Sequence, residues 1–503
     1  MLTFLIGLCI LFVGGALYGK LCETVFAPDD RETPAYAKQD GVDYVPMKTW
    51  KNSLINLLNI AGTGPILGPI QGILFGPVAL LAIPIGNVIG GSMHDYFSGM
   101  ICIRDGGTQM PDMVKNYTNK AVYTAYNIFL CVLLLLVGAV FIYTPGDIAA
   151  SGILKMSTDP KTAGIWIVYA VIFVYYLVAT VFPIDKIIGR IYPIFGLILV
   201  FSAVGIFIAL FAKGWAGSLT EVWGDWNAGT VKYGEYFSTH HFFPVFFLTV
   251  ACGILSGFHS TQTALISRTM ESEKSGKMTF YNMMILEGFI AMCWAAGSMA
   301  LLNTGIVGVT EAGGYALADG TPIAATRVVV ELCTQALGSV GGTIAMVGVV
   351  VLPVTSGDTA LRALRLTLAD TLHIKQDTNA KRFSLAIPIY VLVALILVWA
   401  KFNNNGFMLL WRYFAWANQM IALFALACMI VWFYKNGKKA FVWMPTIPAA
   451  FYAFCTCAFI VHNPAQTAGT EFVSWNVAYV VAAVFTICYL GVTFMKANKV
   501  AKA

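Results

Sequence analysis

The feature that most constrains this chain is a series of long apolar runs, each close to the length that crosses a lipid bilayer. A transmembrane helix needs about 20 consecutive, mostly apolar residues. The sequence predicts thirteen such runs, separated by charged or Gly/Pro-rich breaks, at about 2–19, 50–71, 73–103, 121–146, 163–182, 190–212, 242–268, 281–303, 340–369, 383–400, 408–434, 443–461 and 474–495. We therefore expect an all-α polytopic membrane protein with about thirteen transmembrane helices.

The composition excludes several other classes of protein. Of 503 residues, 58% are hydrophobic and 11% are charged, whereas a soluble domain carries about 25% charged residues. A soluble enzyme, a disordered protein and a secreted disulfide scaffold do not have this balance, and an outer-membrane barrel has alternating strands instead of continuous apolar runs. The 11 cysteines lie mostly within apolar runs, and we interpret them as small hydrophobic residues.

The distribution of cationic residues predicts the orientation in the membrane. With the N-terminus outside, the cytoplasmic segments hold 24 of the 31 Lys and Arg residues and the external loops hold six, while Arg412 lies inside a run. Cytoplasmic loops of membrane proteins carry such an excess, so the net charge of +6 needs no nucleic-acid partner. No cationic segment precedes the first run, which we interpret as an uncleaved helix. We expect a bacterial inner-membrane protein with a cytoplasmic C-terminus.

Two of the runs contain breaks in otherwise helical sequence. Residues 61–65 read AGTGP, and Gly257 is followed by the polar stretch 258–262. Non-helical backbone at membrane depth persists only where it is buried in protein or lines a cavity, although Gly and Pro are also common in ordinary membrane helices. Five runs begin with each break, so the second set is inverted relative to the first, as in inverted-repeat transporters. The predicted divisions are an extra helix with a cytoplasmic linker at 1–49, two five-helix repeats at 50–212 and 242–434, and two additional helices at 435–503.

Ionisable residues inside apolar runs are functional candidates, because they are costly to bury there. His94 beside Asp95 suits a proton relay, although neighbours about 100° apart on a helix are not expected to share one face. The alternative is an interfacial histidine and a helix-packing aspartate. His259, in the second break, is a candidate for binding a substrate carboxylate or carrying a proton, unless a carbonyl simply satisfies it. Glu287 is a further candidate proton carrier.

A second group of candidates offers oxygen atoms to a cation. Thr355, Ser356 and Asp358 carry the ligands that hard cations such as sodium accept, and backbone carbonyls near 62–65 could complete a site. Asp358 could instead only neutralise Arg362 one helical turn away. The coupling ion is thus predicted to be a proton or sodium, and no cofactor is predicted.

Substrate contacts are predicted at the two breaks and at two amides of a later run. The candidates are Gly62, Thr63, Gly64, Gly257, Phe258, His259, Ser260, Asn418 and Gln419. Backbone N–H groups at the start of a half-helix attract anions, whereas the amides and the nearby Arg412 could equally join helices. No P-loop, GxSxG, HExxH or dinucleotide-binding motif stands in a suitable context. Neither an enzyme nor an ATPase subunit is therefore implied.

Several short stretches resemble the carbon starvation protein A (CstA) family of bacterial transporters. They are 41–46 (GVDYVP), 61–69 (AGTGPILGP), 94–96 (HDY), 256–259 (SGFH) and 417–419 (ANQ). In this order they cover most of the chain. Many members of the family are longer, so this chain resembles a short form.

The resemblance implies both a fold and a function. The family is grouped with amino acid–polyamine–organocation transporters, whose core is a five-plus-five inverted repeat with broken first and sixth helices. Thr355 and Ser356 would then lie on core helix eight, where sodium-coupled relatives have hydroxyl ligands. The implied function is import of peptides or pyruvate during carbon starvation. The sequence differs from the long members at 411–414 and around Asp358.

We therefore predict an ion-coupled secondary transporter that imports a small carboxylate-bearing nutrient, a peptide or pyruvate. Its expected partners are that substrate and the lipid bilayer. One alternative is a membrane redox subunit that holds haem between His94 and His259. Another is a passive channel or sensor, which would not accumulate substrate against a gradient.

Overall fold

The computed structural model describes residues 1–41, 43–181, 185–310, 313–376, 378–403, 405–462 and 472–502. Val42 of the first resembling stretch, the last residue of the predicted run 163–182 and the two residues after it lie outside these residues. The α-helices are Leu2–Cys9, Gly15–Phe26, Pro34–Ala37, Thr49–Ile60, Gly64–Gly72, Ala79–Gly86, Met93–Arg104, Met110–Tyr117, Lys120–Ile148, Ala163–Val181, Asp185–Ala212, Tyr233–Thr239, Val245–Thr249, Ala251–Ile254, Gly257–Ile266, Asn282–Asn303, Ala325–Thr371, Asn379–Phe402, Gly406–Lys435, Trp443–His462 and Trp475–Lys502. Shorter π-helical or 3₁₀ stretches are Ile10–Gly14, Ile73–Phe75, Asn87–Ser92, Ala149–Ile153, Trp215–Ser218, Glu273–Ser275, Lys277–Tyr281 and Lys439–Phe441.

Many of these helices are long and apolar enough to cross a membrane. Within the described part of the chain there are nine, and a tenth if the pair Thr49–Ile60 and Gly64–Phe75, bent by 47°, counts as one span. The nine are Leu2–Phe26, Lys120–Ile153, Ile194–Ala212, Glu273–Asn303, Ala325–Ala369, Asn379–Phe402, Gly406–Lys435, Lys439–His462 and Trp475–Lys502. The helical membrane class is thereby confirmed. The count of thirteen stays a prediction, since the runs at 73–103 and 242–268 are divided into several shorter helices and the run at 163–182 contains one short apolar helix.

Contacts between distant segments define two faces of the bundle. On the first, the N-terminal face, the Glu221 carboxylate accepts hydrogen bonds from the backbone N–H groups of Leu2 and Thr3, at 2.8 and 2.7 Å. Partial burial opposes ionisation of this carboxyl, but hydrogen bonds from the first residues of the chain hold the pKa of Glu221 down to about 2. On the opposite face, Arg104 contacts Glu273. If the predicted runs cross the membrane in alternating directions, the N-terminus and Glu221 lie on one face, and Arg104 and Glu273 lie on the other.

A buried ion pair ties segments together on the opposite face. Glu273 is fully buried, and its carboxylate accepts hydrogen bonds from Arg104 Nε at 2.9 Å and Nη2 at 3.0 Å. It also accepts the backbone N–H of Asp29 at 3.0 Å. Nearby, the Met47 N–H donates to the Thr269 carbonyl at 2.9 Å. The segment after the first helix and the segment before Glu273 are thus joined at this face.

Replacing Glu273 by Ala should destabilise the protein by about 3 kcal/mol, because the partly buried Arg104 loses the fully buried carboxylate that it contacts. The measurement is thermal unfolding of purified protein in detergent. Asp30→Ala is the matched control: Asp30 pairs with Lys274 at 2.6 Å, but both side chains are more than half exposed. An exposed pair contributes less than about 1 kcal/mol. Equal losses in the two variants would contradict a structural role for the buried pair.

A small antiparallel sheet lies on the N-terminal face, with strand order β1 (Val307–Val309), β2 (Tyr315–Leu317) and β3 (Pro322–Ile323). Val307 pairs with Leu317, and Tyr315 pairs with Ile323. The sequence predicts a short helix at 321–338 starting at Thr321 and Pro322, and that start is wrong. The Leu317 N–H donates to the Thr321 carbonyl at 2.9 Å, which keeps this segment in the sheet.

The helix that follows the sheet begins at Ala325 and is kinked at Gly338. There the backbone φ is +72°, a left-handed value that glycine adopts without strain. The predicted boundary between a short helix and the run at 340–369 therefore coincides with a real break.

Candidate functional site

Both predicted breaks are present. The first separates the helices Thr49–Ile60 and Gly64–Gly72, and Pro65 stands at the start of the second half, where a missing N–H costs nothing. In the second, Ala251–Ile254 ends and two extended residues lead into Gly257–Ile266. Each break leaves peptide groups outside a helix among buried side chains.

A glycine seam holds the halves of the two broken helices together. It consists of Gly64, Gly68 and Gly72, one helical turn apart. A Cβ added at Gly64 would lie 2.3 Å from Cys252 Cβ, and one at Gly72 would lie 2.3 Å from Val250 Cγ1. The backbones therefore approach so closely that only glycine fits.

Asn418 bridges the second break from a later helix. Its Oδ1 accepts the Phe258 N–H at 2.8 Å, and its Nδ2 donates to Ser256 Oγ at 2.9 Å. The His259 N–H donates to the Ser256 carbonyl at 3.2 Å. These N–H groups at the start of the half-helix are thus used within the protein, whereas the sequence predicts that they face a substrate anion.

The other candidate residues near the breaks are also buried. A Cβ at Gly257 would lie 2.2 Å from the Asn418 carbonyl oxygen, which makes this a backbone-to-backbone contact. Ser260 Oγ donates to the Gly257 carbonyl at 2.6 Å. Gln419 Nε2 donates to the Phe247 carbonyl at 2.9 Å, in the first half of the broken helix. Thr63 Oγ1 is buried without a hydrogen-bond partner among the described residues.

Four ionisable side chains, the titratable cluster, meet beside the second break. Asp95 Oδ1 lies 2.9 Å from His94 Nδ1, and Asp95 Oδ2 lies 3.0 Å from His259 Nδ1. On the far side of its ring, His259 Nε2 lies 3.7 Å from Glu287 Oε2. All four side chains are at most 1% exposed. The sequence alone does not indicate that three separate runs supply one cluster.

One expectation about this cluster is wrong. The sequence predicts that His94 and Asp95, as neighbours on a helix, point apart, yet their side chains are hydrogen-bonded. Side-chain torsions bring the two polar tips together even though their Cβ atoms diverge. Asp95 thereby contacts histidines from two different helices.

Asn87 fixes the helix that carries Asp95 against its neighbours. Its Nδ2 donates to the Gly253 carbonyl at 3.1 Å and to the Met284 carbonyl at 3.0 Å. A Cβ at Gly91 would lie 2.1 Å from the Ile254 carbonyl oxygen. The helices on both sides of the second break therefore lie within reach of Asp95. At the other end of the cluster, the carboxyl oxygens of Glu287 have no hydrogen-bond partner within the described part of the chain.

A cavity of about 20 Å³, the central cavity, lies between the two breaks. Its lining includes Gly62, Gly64, Ser256, Phe258, His259 and Ser356. His259 belongs to both this cavity and the titratable cluster. A void of this size holds about one water molecule, so the central cavity is too small for a nutrient molecule in this structure.

The three oxygen-bearing candidates of the later run do not converge on the central cavity. Ser356 lines it, whereas Thr355 and Asp358 are not among its lining residues. Thr355 Oγ1 donates to the Leu352 carbonyl at 2.9 Å, and Arg362 Nη2 lies 3.4 Å from Asp358 Oδ2. The three predicted ion ligands therefore do not face one common point.

Sequence reasoning missed a buried ion pair near the N-terminal face. Lys401 Nζ lies 2.9 Å from both carboxylate oxygens of Asp147, and Tyr169 donates its hydroxyl to Asp147. The predicted runs end at 146 and 400, one residue short of each partner. Because both helices continue to Ile148 and Phe402, the pair lies in helical sequence. Extending the two runs by one residue each, to Asp147 and Lys401, would have revealed it.

A larger cavity of about 640 Å³, the outer cavity, lies on the N-terminal face. Its lining includes Gln71, Tyr143, Tyr236, Thr249, Lys401 and Arg412, together with residues of the small sheet. Gln71, in the glycine-seam helix, and Thr249, opposite it, are part of its wall. The glycine seam therefore stands between the outer and central cavities.

One family model matches most of the chain. The family model described as carbon starvation protein CstA matches residues 1–204, 153–308 and 307–458. An uncharacterized membrane protein of Haemophilus influenzae is 41% identical over 339 residues, which cover 60% of this chain and 91% of that protein. The peptide transporter CstA of Escherichia coli is 23% identical over 563 aligned positions, 89% of this chain and 79% of that protein.

A further relative is a named transporter, and a solved structure has a similar fold. The pyruvate/proton symporter BtsT of Escherichia coli is 24% identical over 550 aligned positions, 85% of this chain and 76% of that protein. The crystal structure of a manganese transporter mutant of Eremococcus coleocola matches with a TM-score of 0.56 at 10% identity, over 90% of this chain and 94% of that chain. At such identity the likeness shows the fold alone, which is that of a membrane transporter.

Proposed function

The chain belongs to the carbon starvation CstA family, and on that footing we propose that it is a secondary transporter that couples import of a small carboxylate-bearing nutrient to protons. The observation that carries this proposal is the titratable cluster beside the central cavity. His259 lines that cavity, and its ring contacts Asp95 on one side and Glu287 on the other. A proton taken up by the cluster thus lies next to the space for substrate.

The hydrogen bonds of Asp95 suggest how proton binding changes the structure. An ionised Asp95 accepts one hydrogen bond from His94 and one from His259, which lie on different helices. A protonated carboxylic acid must donate one hydrogen bond, so one of these two contacts weakens or reverses. Proton occupancy would then alter the attachment of the half-helix Gly257–Ile266, which forms one wall of the central cavity.

The proposed substrate is a peptide or pyruvate. The printed names of two relatives are a peptide transporter and a pyruvate/proton symporter, and both kinds of molecule carry a carboxylate. The central cavity of about 20 Å³ must enlarge to admit either one. Substrate binding is therefore expected in a conformation in which the halves of the broken helices have moved apart.

Protons are favoured over sodium by the positions of the candidate ligands. Four titratable groups converge at the second break, whereas only Ser356 of the three predicted oxygen ligands lines the central cavity. Hard cations need several oxygens around one point. We propose no resident cofactor.

The proposed architecture has thirteen spans and a five-plus-five inverted core. The repeats would be 50–212 and 242–434, preceded by the helix and linker at 1–49 and followed by two helices at 435–503. The N-terminal face would be external and the opposite face cytoplasmic in the bacterial inner membrane. This orientation is supported by the placement of 24 of the 31 Lys and Arg residues in cytoplasmic segments.

The haem alternative fits this site poorly. A haem held by His94 and His259 would lie between the two rings, but the Asp95 carboxylate occupies that position. The adjoining central cavity has a volume of about 20 Å³, which is far smaller than a porphyrin. A passive channel or a sensor does not couple to protons, so it would not need the proton-accepting groups that link two helices here.

The test is uptake of labelled pyruvate and of a labelled dipeptide into proteoliposomes, with proton and sodium gradients imposed separately. We expect accumulation when the outside is acidic and loss of accumulation when a protonophore is added. Accumulation driven by sodium alone would overturn proton coupling. Equilibration without accumulation under every gradient would favour the channel.

Asp358 and Arg362 offer a separate test of the coupling assignment. Because Arg362 lies one turn from Asp358 and away from the central cavity, we expect Asp358→Asn to lower stability by about 2 kcal/mol through loss of a partly buried pair. Proton-driven accumulation per folded molecule should persist. The double variant with Arg362→Gln should recover stability in thermal unfolding. Full stability with lost accumulation in Asp358→Asn would instead make Asp358 a coupling residue.

A further inference from the structure

The last three helices meet at an area of the opposite face that we call the C-terminal basic surface. The helix Gly406–Lys435 and the helix Trp475–Lys502 both end there. Between them and beyond, the sequence supplies six lysines, which are Lys435, Lys438, Lys439, Lys496, Lys499 and Lys502. Among residues 378–503, Glu471 is the only Asp or Glu, and it precedes the last helix. These segments therefore bring cationic side chains and no acidic ones to the area.

Ring contacts show that the lysines come from helix ends that touch one another. Tyr434 packs against Phe494 of the last helix, with the ring centroids 6.0 Å apart. Lys439 Nζ lies 5.2 Å from the centre of the Tyr434 ring. Lys435 Nζ lies 5.5 Å from the centre of the Tyr117 ring. The lysines thus belong to one continuous surface instead of separate loops.

None of these lysines forms an ion pair with another described residue. Elsewhere on the opposite face, Arg104 and Lys274 each contact a carboxylate, at 2.9 and 2.6 Å. Asp105, beside the basic surface, accepts the hydroxyl of Tyr117 at 3.1 Å. An excess of lysine on the cytoplasmic side is usual in membrane proteins, but that excess does not by itself produce a group of lysines without counter-charges.

An apolar stripe on the last helix leads directly to this surface. Its exposed members stand three or four positions apart and so share one side of the helix; they are Val481, Val484, Cys488, Val492 and Met495. Lys499 and Lys502 are also exposed and continue the same spacing. Met495 and Lys499 are about 6 Å apart along the helix axis. One side of the helix therefore changes from apolar to cationic within one turn.

We propose that the C-terminal basic surface and the apolar stripe together bind an anionic phospholipid of the surrounding bilayer. The headgroup phosphate lies among Lys496 and Lys499 of the last helix and Lys435 and Lys439 of the neighbouring ends. An acyl chain lies along the apolar stripe. Lysine is a common ligand of phosphate, and lysines beside a membrane attract anionic headgroups. The site needs neither the proton coupling nor the substrate of the proposed function, so it can be tested apart from transport.

The experiment measures equilibrium binding of labelled phosphatidylglycerol to the purified full-length chain in an uncharged detergent. Phosphatidylcholine with the same acyl chains should bind much more weakly, and rising ionic strength should weaken binding of phosphatidylglycerol because salt screens the attraction. Glycerol phosphate has the charge but no acyl chain, so it should not compete at the same concentration. Equal binding of the two lipids, or equal competition by glycerol phosphate, would overturn a phospholipid site.

Lys496→Gln combined with Lys499→Gln tests the position of the charges. Binding of phosphatidylglycerol should weaken at least tenfold, because each lysine near an anionic headgroup contributes about fivefold. Lys48→Gln combined with Lys51→Gln is the matched control: it removes two charges from exposed positions on the same face, at the start of the helix Thr49–Ile60. Its binding should match the wild type. Equal losses in the two double variants would mean a general attraction by net charge and would overturn the site.

Lys435→Gln combined with Lys439→Gln removes two charges from the neighbouring ends and should also weaken binding. Thermal unfolding is a second measurement on the same proteins, since a ligand that binds the folded state raises the Tm. Phosphatidylglycerol should raise the Tm of the wild type and of the Lys48/Lys51 control more than that of either variant of the basic surface. Wild-type binding by both of these variants, or an equal rise in Tm in all four proteins, would overturn the proposal.

Discussion

Asp95→Asn should abolish proton-driven accumulation while exchange of substrate across the membrane continues. Asparagine keeps the shape of the side chain and one acceptor oxygen but cannot take up a proton. The contacts of Asp95 with His94 and His259, at 2.9 and 3.0 Å, would no longer change with proton occupancy. We expect the accumulation ratio under an imposed pH gradient to fall at least tenfold, as for loss of one ionic hydrogen bond. Counterflow of preloaded substrate is the readout for exchange.

Asp112→Asn is the control for this variant. It removes a carboxylate from an exposed position on the helix Met110–Tyr117 and should leave accumulation unchanged. Glu287→Gln tests the other end of the titratable cluster and should also lower accumulation. Wild-type accumulation by Asp95→Asn would show that the cluster is structural and that the proton is carried elsewhere.

Gly64→Ala should stop transport, because the added methyl group has no room in the glycine seam. Its Cβ would lie 2.3 Å from Cys252 Cβ, a separation that forces the two broken helices apart. Overpacking of this kind costs about 1–3 kcal/mol, and we expect the uptake rate to fall by at least tenfold. Uptake into proteoliposomes and thermal unfolding in detergent measure the two effects.

Gly491→Ala is the control, because Gly491 lies at an exposed position of the helix Trp475–Lys502, away from both cavities. A Cβ added at Gly491 has no neighbouring atom within 4 Å, so uptake should be close to that of the wild type. The double variant Gly64→Ala with Cys252→Gly removes the atom that clashes and should recover part of the activity. Failure of the double variant to improve on Gly64→Ala would mean that the seam is not the cause.

Much of this fold follows from local sequence signals. Apolar runs of sufficient length mark the helices, and the glycines and prolines at 61–65 and the polar stretch at 258–262 mark the breaks. These features depend on the chemistry of neighbouring residues and on the surrounding bilayer, so they can be recognised without tertiary contacts. For the same reason His259 could be singled out from its position inside a break.

The assembly of the site could not be predicted in the same way. Asp95 and His259 are 164 positions apart, and their contact depends on how Asn87 anchors one helix against two others. Asn418 reaches the second break from a helix whose orientation is set by packing. Lys401 was missed because a hydropathy pattern ends a helix at the first charged residue. The pattern does not show that a distant carboxylate neutralises that charge and lets the helix continue.

The glycine seam also gives the protein a built-in chemical reporter. The Cys252 thiol would lie 2.8 Å from a Cβ at Gly64, and the residue is 6% exposed, so a maleimide has no path to it while the two backbones touch. Alkylation requires the two backbones to separate, so the rate of modification measures how often the seam opens. Cys9 and Cys488 are exposed on helices that are long and apolar enough to cross the membrane. Once the cysteines other than Cys252 are replaced, the slow reaction of this one native thiol could time the transport cycle without an introduced label.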